Sequence, residues 1–117
     1  MAQVVYSPNA ISNLARLHQF LDQKNPEAAT RALRTIRDRL AMLSRFPRLG
    51  PVDPERPDIR ELFMPFGVAG YVARYGIVGE TVVILAVRHA REAGYLAEPP
   101  SPPTPPRPAP SSRRRRS

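Results

Sequence analysis

The stretch from Thr81 to Val87 most constrains the fold of this chain, because nearly every residue on both of its alternating sides is apolar. A strand of that kind is typical of the centre of a sheet that is covered on both faces. It continues directly into Arg88-His89-Ala90-Arg91-Glu92, and Tyr95 follows closely. The sequence therefore predicts a buried strand that ends in cationic, imidazole and phenol side chains on a rigid support.

Two helices are predicted in the first half of the chain, after a short β-branched strand at Gln3–Tyr6. Ser7 is the expected N-cap of the first helix, and Pro8 takes the first helical position, where its missing N–H costs nothing. Asn25 and Pro26 repeat this pattern at the start of the second helix. The predicted buried stripe of the first helix consists of Ile11, Leu14, Leu17 or His18, and Leu21. The stripe of the second helix consists of Ala29, Leu33, Ile36, Leu40 and Leu43.

The second half of the chain reads as strands that follow a loop from Arg48 to Asp58. Ile59–Met64 and Tyr71–Tyr75 are the first two strands, and Gly76–Glu80 is a hairpin loop that leads into the apolar strand. The order strand, helix, helix, strand, strand, strand predicts an α+β fold. In it, an antiparallel helical hairpin packs on one face of a small, mostly antiparallel sheet. We expect a sheet that contains Val83 and Leu85 to bury Leu33, Ile36, Leu40 and Leu43.

The end of the chain differs in composition from the rest. Residues 98–117 hold eight of the fifteen prolines, one alanine as their only apolar residue besides proline, and four consecutive arginines. They cannot bury enough apolar surface to offset chain entropy, so we predict a folded domain at 1–97 and a disordered Pro/Arg-rich tail at 98–117. The formal net charge of +8 divides evenly, because 13 Lys/Arg and 9 Asp/Glu precede the tail, which holds 5 Arg and 1 Glu.

Composition also excludes several classes of protein. The chain has no cysteine, which rules out a disulfide framework and a Cys-based zinc site. Its start, MAQVVYSP, lacks the basic and apolar regions of a secretory signal. No apolar run approaches the roughly 20 residues that span a bilayer. We expect a small soluble cytoplasmic protein with no cofactor, no metal site and no membrane partner.

Four segments follow one another along the chain: FPRLG after the second helix, the Arg60-Glu61-Leu62 strand, the Tyr71-x-x-x-Tyr75 strand and the VVILAVRHAR ending. In this order they resemble the RelE/ParE superfamily, the small bacterial toxins of type II toxin–antitoxin pairs. The resemblance covers roughly Val4 to Tyr95 and implies a helical hairpin after the first strand, then three consecutive strands. It also implies a cognate antitoxin that holds the toxin inactive. The tail departs from the family, whose members often close with a short helix.

One branch of the superfamily, resembling RelE, cleaves mRNA on the ribosome by attack of a 2′-OH on the adjacent phosphate. That chemistry needs a base, an acid and cations on the phosphate. The resemblance implies His89 as acid or base and Tyr95 as acid or base stacker, with Glu92 as a weaker candidate base. Arginine suits the phosphate because its guanidinium forks onto phosphate oxygens. The candidate phosphate ligands are Arg60, Arg74, Arg88 and Arg91.

Each of these residues also has a structural interpretation. The arginines are then solvated cations at strand edges, His89 fixes the strand end through a hydrogen bond, and Tyr95 packs against the domain. Arg60, Arg74 and Arg88 come from three successive strands, so they converge if they project from one face of the sheet. His89 is then expected on the opposite face of the last strand.

The other branch, resembling ParE, poisons DNA gyrase by trapping cleaved DNA and needs no hydrolytic site. The long helical hairpin, the FPRLG loop and the single Val-Arg-His ending favour this branch. Lys24 is the only lysine, and three arginines with one histidine offer few groups that exchange a proton near neutral pH. We therefore predict a gyrase-directed toxin. The alternatives are a ribosome-dependent mRNA endonuclease and an inactive relative that only binds its antitoxin.

Partner surfaces follow from the same residues. The exposed side of the sheet and the cations Arg60, Arg74 and Arg88 would offer apolar area and positive potential to an acidic amphipathic antitoxin segment. Together with Arg91, these arginines are also the predicted contacts to the target or to nucleic acid. The tail has the composition of an arm that attracts nucleic-acid phosphate without sequence preference, or of an extension without a role.

Overall fold

A computed structural model describes residues 1–91 of the chain. Its elements are β1 (Gln3–Tyr6), α1 (Pro8–Asp22), α2 (Pro26–Ala41), a 3-10 helix (Met42–Ser44), β2 (Val52–Asp53), β3 (Arg56–Phe66), β4 (Ala69–Val78) and β5 (Thr81–His89). The five strands form one sheet in the order β1-β5-β4-β3-β2. β1 is parallel to β5, and the other neighbouring strands are antiparallel. The predicted α+β fold is confirmed, with β2 as an additional strand.

Both helices begin where the sequence predicts. The Ser7 hydroxyl accepts a hydrogen bond from the N–H of Ala10 at 3.0 Å, which caps α1. Asn25 Oδ1 accepts from the N–H groups of Glu27 and Ala28, which caps α2. Each helix therefore has a partner for some of the N–H groups that a helix start leaves unpaired. The longer helix, α2, has 16 residues, and within residues 1–91 neither helix is long and apolar enough to cross a bilayer.

The core lies between the two helices and one face of the sheet, which we call the helix side; the opposite face is called the open face. Ile36, Leu40 and Leu43 are fully buried in this core, as predicted, whereas Leu33 is only half-buried. The buried strand residues in the core are Leu62, Met64, Tyr71, Ala73, Tyr75, Val82, Ile84 and Val87. Tyr71 and Tyr75 therefore belong to the core.

The side of β5 that faces the helices differs from the prediction. Val82 and Ile84 lie in the core, whereas Val83 and Leu85 are half-buried. Val83 pairs in register with Val5 of β1 and lies on the open face. The expectation that β5 is covered on both faces is not met within residues 1–91, where Val83 and Leu85 are only half-buried. An all-apolar strand carries no alternation that would show which of its two sides faces inward.

Ile11 is a second departure from the prediction, because its side chain is 57% exposed. The buried residues of α1 are the predicted Leu17 together with Ala10 and Asn13, which the stripe did not include. Asn13 is 1% exposed, and its Oδ1 accepts the Val87 N–H at 2.9 Å. This hydrogen bond sets the rotation of α1 about its own axis so that Asn13 faces the sheet. Hydropathy alone does not predict a polar residue at that position.

The loop predicted from Arg48 to Asp58 is shorter than expected. β2 forms within it, and β3 already begins at Arg56. The Pro51 carbonyl accepts the Glu61 N–H at 3.0 Å, which ties this segment to β3. β2 lies at the edge of the sheet, where neighbouring prolines remove no hydrogen bond from the ladder. Proline content is therefore a poor guide to the loop boundary here.

Candidate functional site

Arg74 lies on the open face of the sheet, because its neighbours Ala73 and Tyr75 point into the core. Its guanidinium is 3.8 Å from Asp53 Oδ2 and 3.9 Å from Glu61 Oε2, and its side chain is 14% exposed. Two carboxylates therefore offset its charge, and they weaken the positive potential that Arg74 can offer to a phosphate.

Arg88 shares the open face, since it pairs in register with Val72, the residue between Tyr71 and Ala73. Its Nη1 donates hydrogen bonds to the carbonyl oxygens of His89 at 3.1 Å and Ala90 at 3.2 Å. The half-buried side chain thus folds back onto the end of β5. Arg88 therefore hydrogen-bonds the backbone at the end of its own strand, and it also borders the open face.

Arg60 lies on the other side of the sheet, so the condition under which the three arginines would converge is not met. It pairs in register with Tyr75, whose side chain is in the core. Its Nη1 donates to the carbonyl oxygens of Gly50 at 2.8 Å and Arg48 at 3.3 Å. Arg60 therefore fixes the loop after the 3-10 helix, and only Arg74 and Arg88 share a face.

His89 lies on the helix side, opposite to Arg88, as the alternation predicts. Its ring meets Tyr71 edge to face, with centroids 5.4 Å apart and an interplanar angle of 88°. Its Nδ1 accepts the Arg91 N–H at 3.1 Å. His89 thus holds the end of β5 through a hydrogen bond, in agreement with its structural interpretation.

An apolar groove of about 460 Å³ adjoins His89 at the C-terminal half of α1. It is lined by Arg16, Leu17, Phe20, Leu21, Tyr71, His89 and Arg91. Burial raises the pKa of the Tyr71 phenol above its ordinary value, so this group stays protonated near neutral pH and is not a base. Arg91 is exposed at the rim. Tyr95, Glu92 and the predicted tail lie outside the described residues.

The described candidates are divided between the two faces of the sheet, and of the candidate arginines Arg91 lies beside His89 in the apolar groove. A phosphate-cleaving site needs its acid, base and cations within reach of the same phosphate. Here His89 is on the helix side, while Arg74 and Arg88 are on the open face. Within residues 1–91, no group of three or more His, Asp or Glu side chains is placed to hold a metal ion. The sheet therefore lies between His89 and the pair Arg74 and Arg88.

Beside Arg74 and Arg88, the open face also has apolar side chains. Phe63 of β3 is 50% exposed and pairs in register with Val72 of β4, which in turn pairs with Arg88 of β5. The side chains of Val72 and Val83 are half-buried on the same face. A partner segment would therefore meet apolar side chains beside Arg74 and Arg88.

The sequence did not predict that three polar residues at the start of α1 form hydrogen bonds with the backbone of β5. They are Ser7, the N-cap, and Asn9 and Asn13 within the helix. The Ser7 hydroxyl and Asn9 Nδ2 donate to the Leu85 carbonyl at 3.2 and 2.9 Å, and Asn13 accepts from Val87. Ser7 was predicted only as a helix cap. The available signal was the position of Asn13, which falls on the apolar stripe through Leu17 when the helix is read at 3.6 residues per turn.

The chain has relatives among known protein families and solved structures. The profile described as "ParE toxin of type II toxin-antitoxin system, parDE" matches residues 4–94. "Toxin RelE3" of Caulobacter vibrioides is 35% identical over 92 residues, which cover 79% of this chain and 98% of that protein. "Toxin RelE1" of the same organism is 32% identical over 89 residues, covering 76% and 94%.

A solved structure described as "Chromosomal ParDE TA system from P. aeruginosa" has the same fold, with a TM-score of 0.66 at 20% identity. The match covers 78% of this chain and 98% of that one. The family match spans both helices and all five strands. The chain therefore belongs to the ParE toxin family of the RelE/ParE superfamily, and it is a toxin of a type II toxin–antitoxin system that pairs with a cognate antitoxin.

Proposed function

We propose that this toxin stops growth by poisoning DNA gyrase. The observation that supports this proposal is the separation of His89 from Arg74 and Arg88 by the sheet itself. General acid–base catalysis requires a hydrogen-bonded path from the catalytic group to the reacting proton. A gyrase poison instead needs a stable contact surface, and action on gyrase would place the toxin in the cytoplasm.

The partner that neutralises it is an antitoxin with an acidic amphipathic segment, which we place on the open face. Phe63 and Val72 would contact the apolar side chains of that segment. Arg88 would attract its carboxylates, with a smaller contribution from Arg74, whose charge Asp53 and Glu61 partly offset. Such charges chiefly raise the rate of association and the specificity of binding.

The second candidate function is that of a ribosome-dependent mRNA endonuclease. The specific observation in its favour is the RelE name of a relative that is 35% identical over nearly its whole length. In that case His89 and Arg74 act on the message, with Arg60, Arg88, Arg91 and Tyr95 as the further candidates. A third outcome, an inactive relative that binds only the antitoxin, predicts no toxicity on expression.

The two functions are separated by alanine variants tested on both targets. His89→Ala and Arg74→Ala are compared with the wild-type chain and with Arg31→Ala, an exposed arginine on α2 that serves as control. Growth is measured together with inhibition of gyrase supercoiling and with primer extension on ribosome-bound mRNA. We expect gyrase inhibition that survives His89→Ala. Cleavage of mRNA by the wild-type chain that is lost in His89→Ala would contradict the gyrase proposal.

A further inference from the structure

The loop at residues 45–50, between the 3-10 helix and β2, has a backbone that the sheet holds in place. The Tyr75 hydroxyl accepts the Gly50 N–H and donates to the Pro47 carbonyl, each at 2.8 Å. The Leu49 N–H donates to the Phe46 carbonyl at 3.0 Å. With the two hydrogen bonds from Arg60 described above, the loop has partners along most of its length.

Gly50 shows how closely the loop approaches the sheet. A Cβ at this position would lie 2.5 Å from the carbonyl oxygen of Glu61 and 3.0 Å from Cε1 of Tyr75. Both neighbours belong to the sheet, and a backbone oxygen cannot move aside cheaply. A residue with a Cβ would clash there, so glycine is what allows the loop to lie this close to β3 and β4.

The large side chains of this fixed loop point into solvent. Phe46 is 53% exposed and Leu49 40% exposed, and both Arg45 and Arg48 are exposed. We use the name loop surface for the lining of a shallow cavity of about 540 Å³ formed by Phe46, Pro47, Arg48, Leu49, Ile77 and Gly79. Holding this loop in one conformation costs entropy, and the exposed Phe46 and Leu49 side chains bury too little apolar surface to offset it. An exposed apolar patch of this kind is typical of a site that binds a partner.

The charges around the loop surface indicate the chemistry of that partner. No carboxylate occurs between Asp38 and Asp53, and the charged residues there are arginines. The one carboxylate next to the lining residues in sequence is Glu80, after Gly79. A nucleic-acid backbone would pair with the arginines but leave the apolar side chains uncovered. A protein patch with carboxylates around an apolar side chain would engage both.

We propose that the loop surface is the site by which this toxin binds such a patch on its protein target. The inference rests on the proposed function, in which that target is DNA gyrase. Ile77 packs against the core on the helix side, so the loop surface is distinct from the open face assigned to the antitoxin. Phenylalanine and arginine are enriched in the energetic centres of interfaces, and a preformed loop loses little entropy on binding.

The test uses full-length variants and purified DNA gyrase. The double variant Phe46→Ala/Leu49→Ala removes the apolar contacts, and Arg48→Glu reverses the charge. Ile11→Ala and Arg31→Glu are matched controls, because both residues are exposed on the helices. The readouts are the toxin concentration that half-inhibits supercoiling and the melting temperature of each variant.

We expect the double variant to need at least about tenfold more toxin for half-inhibition, as loss of an interface centre does. Arg48→Glu should need at least about fivefold more, and the controls should stay within about twofold of the wild type. If the double variant unfolds, Arg48→Glu alone tests the inference. The exposed Arg48 side chain makes no hydrogen bond or ion pair within the described residues, so this variant should remain folded.

Three results would overturn the inference, and they differ in what else they affect. No gyrase inhibition by the wild-type chain removes the proposed function and the inference together. Wild-type inhibition that Arg48→Glu and the double variant leave unchanged removes the inference alone. A loss of affinity of Arg48→Glu for a gyrase-free DNA duplex, equal to its loss of inhibition, identifies nucleic acid as the contact instead.

Discussion

Tyr75 performs two structural tasks at the scale of a single residue. Its ring is fully buried in the core, and its hydroxyl joins the loop of residues 45–50 to β4. The first task follows from the alternation of β4, which places Tyr75 on the same buried face as Tyr71. The second depends on Pro47 and Gly50, which are more than 20 positions away in the chain.

We expect Tyr75→Phe to lower the free energy of unfolding by about 1–3 kcal/mol, because the Gly50 N–H is left buried without its acceptor. Urea denaturation at neutral pH measures the loss. The matched control is Tyr6→Phe, a half-buried tyrosine outside the loop, for which a smaller change is expected. Equal losses in both variants would contradict the bridging role of the Tyr75 hydroxyl.

Three tyrosines also make stability sensitive to alkaline pH. Burial raises the pKa of Tyr6, Tyr71 and Tyr75, although Arg37 acts in the opposite direction on Tyr6, and Gly50 N–H and Arg60 on Tyr75. The unfolded chain releases these protons near the ordinary pKa of about 10, before the folded chain does. The stabilisation is therefore complete below pH of about 10 and is lost as pH rises through the raised folded values.

Urea denaturation can be measured at several pH values between 8 and 11.5, which is roughly the range that brackets tyrosine ionisation. The free energy of unfolding should fall above a pH of about 10. Tyr75→Phe should reduce the slope of that fall, because one proton is removed from the balance. A free energy of unfolding that is constant across this range would contradict the shifted pKa values.

Asn13 is the buried polar residue on which the position of α1 depends. In Asn13→Ala, the N–H of Val87 loses its acceptor, and we expect a cost of about 1–3 kcal/mol in the free energy of unfolding. Ser12→Ala, one position along on the exposed side of α1, is the control and should change stability by less than about 0.5 kcal/mol. Chemical denaturation of both variants is the measurement.

At the scale of elements, α2 and α1 contribute differently to the core. Ile36 on α2 is 1% exposed, whereas Ile11 on α1 faces solvent, so the same residue type occupies two opposite environments. We expect Ile36→Ala to cost about 2–5 kcal/mol, since a cavity remains in the core. Ile11→Ala should cost less than about 0.5 kcal/mol. Similar melting temperatures for the two variants would contradict the packing of α2 on the sheet.

The elements themselves were largely predictable, because their signals are local. Ser7-Pro8 and Asn25-Pro26 place both helix starts correctly, since a cap acts within three residues of itself. β2 was missed because a two-residue edge strand leaves no periodic pattern to read. The rotation of α1 was missed because it depends on a hydrogen bond between Asn13 and a strand 74 positions away.

At the scale of the whole molecule, the tail of residues 98–117 stays a prediction, because it lies outside the described residues. We expect a chain that stops at Ala97 to keep its melting temperature, since the tail has almost no apolar side chains to bury. Any loss should concern nucleic acid, as weaker binding with a smaller salt dependence. Thermal melting and DNA-binding titrations at two salt concentrations are the measurements. A large drop in melting temperature would mean that the tail packs on the domain.

By itself, the sequence determined the order of the elements other than β2, the helix caps, the central apolar strand and the resemblance to the superfamily. The tertiary structure decided which side of β5 faces the helices, and that Arg60 is separated from Arg74 and Arg88. Strand register and a shift between Arg74 and Tyr75 in the pairing of β4 with β5 set those faces. Propensity, capping and periodicity act between close neighbours, whereas register arises from contacts between residues far apart in the chain.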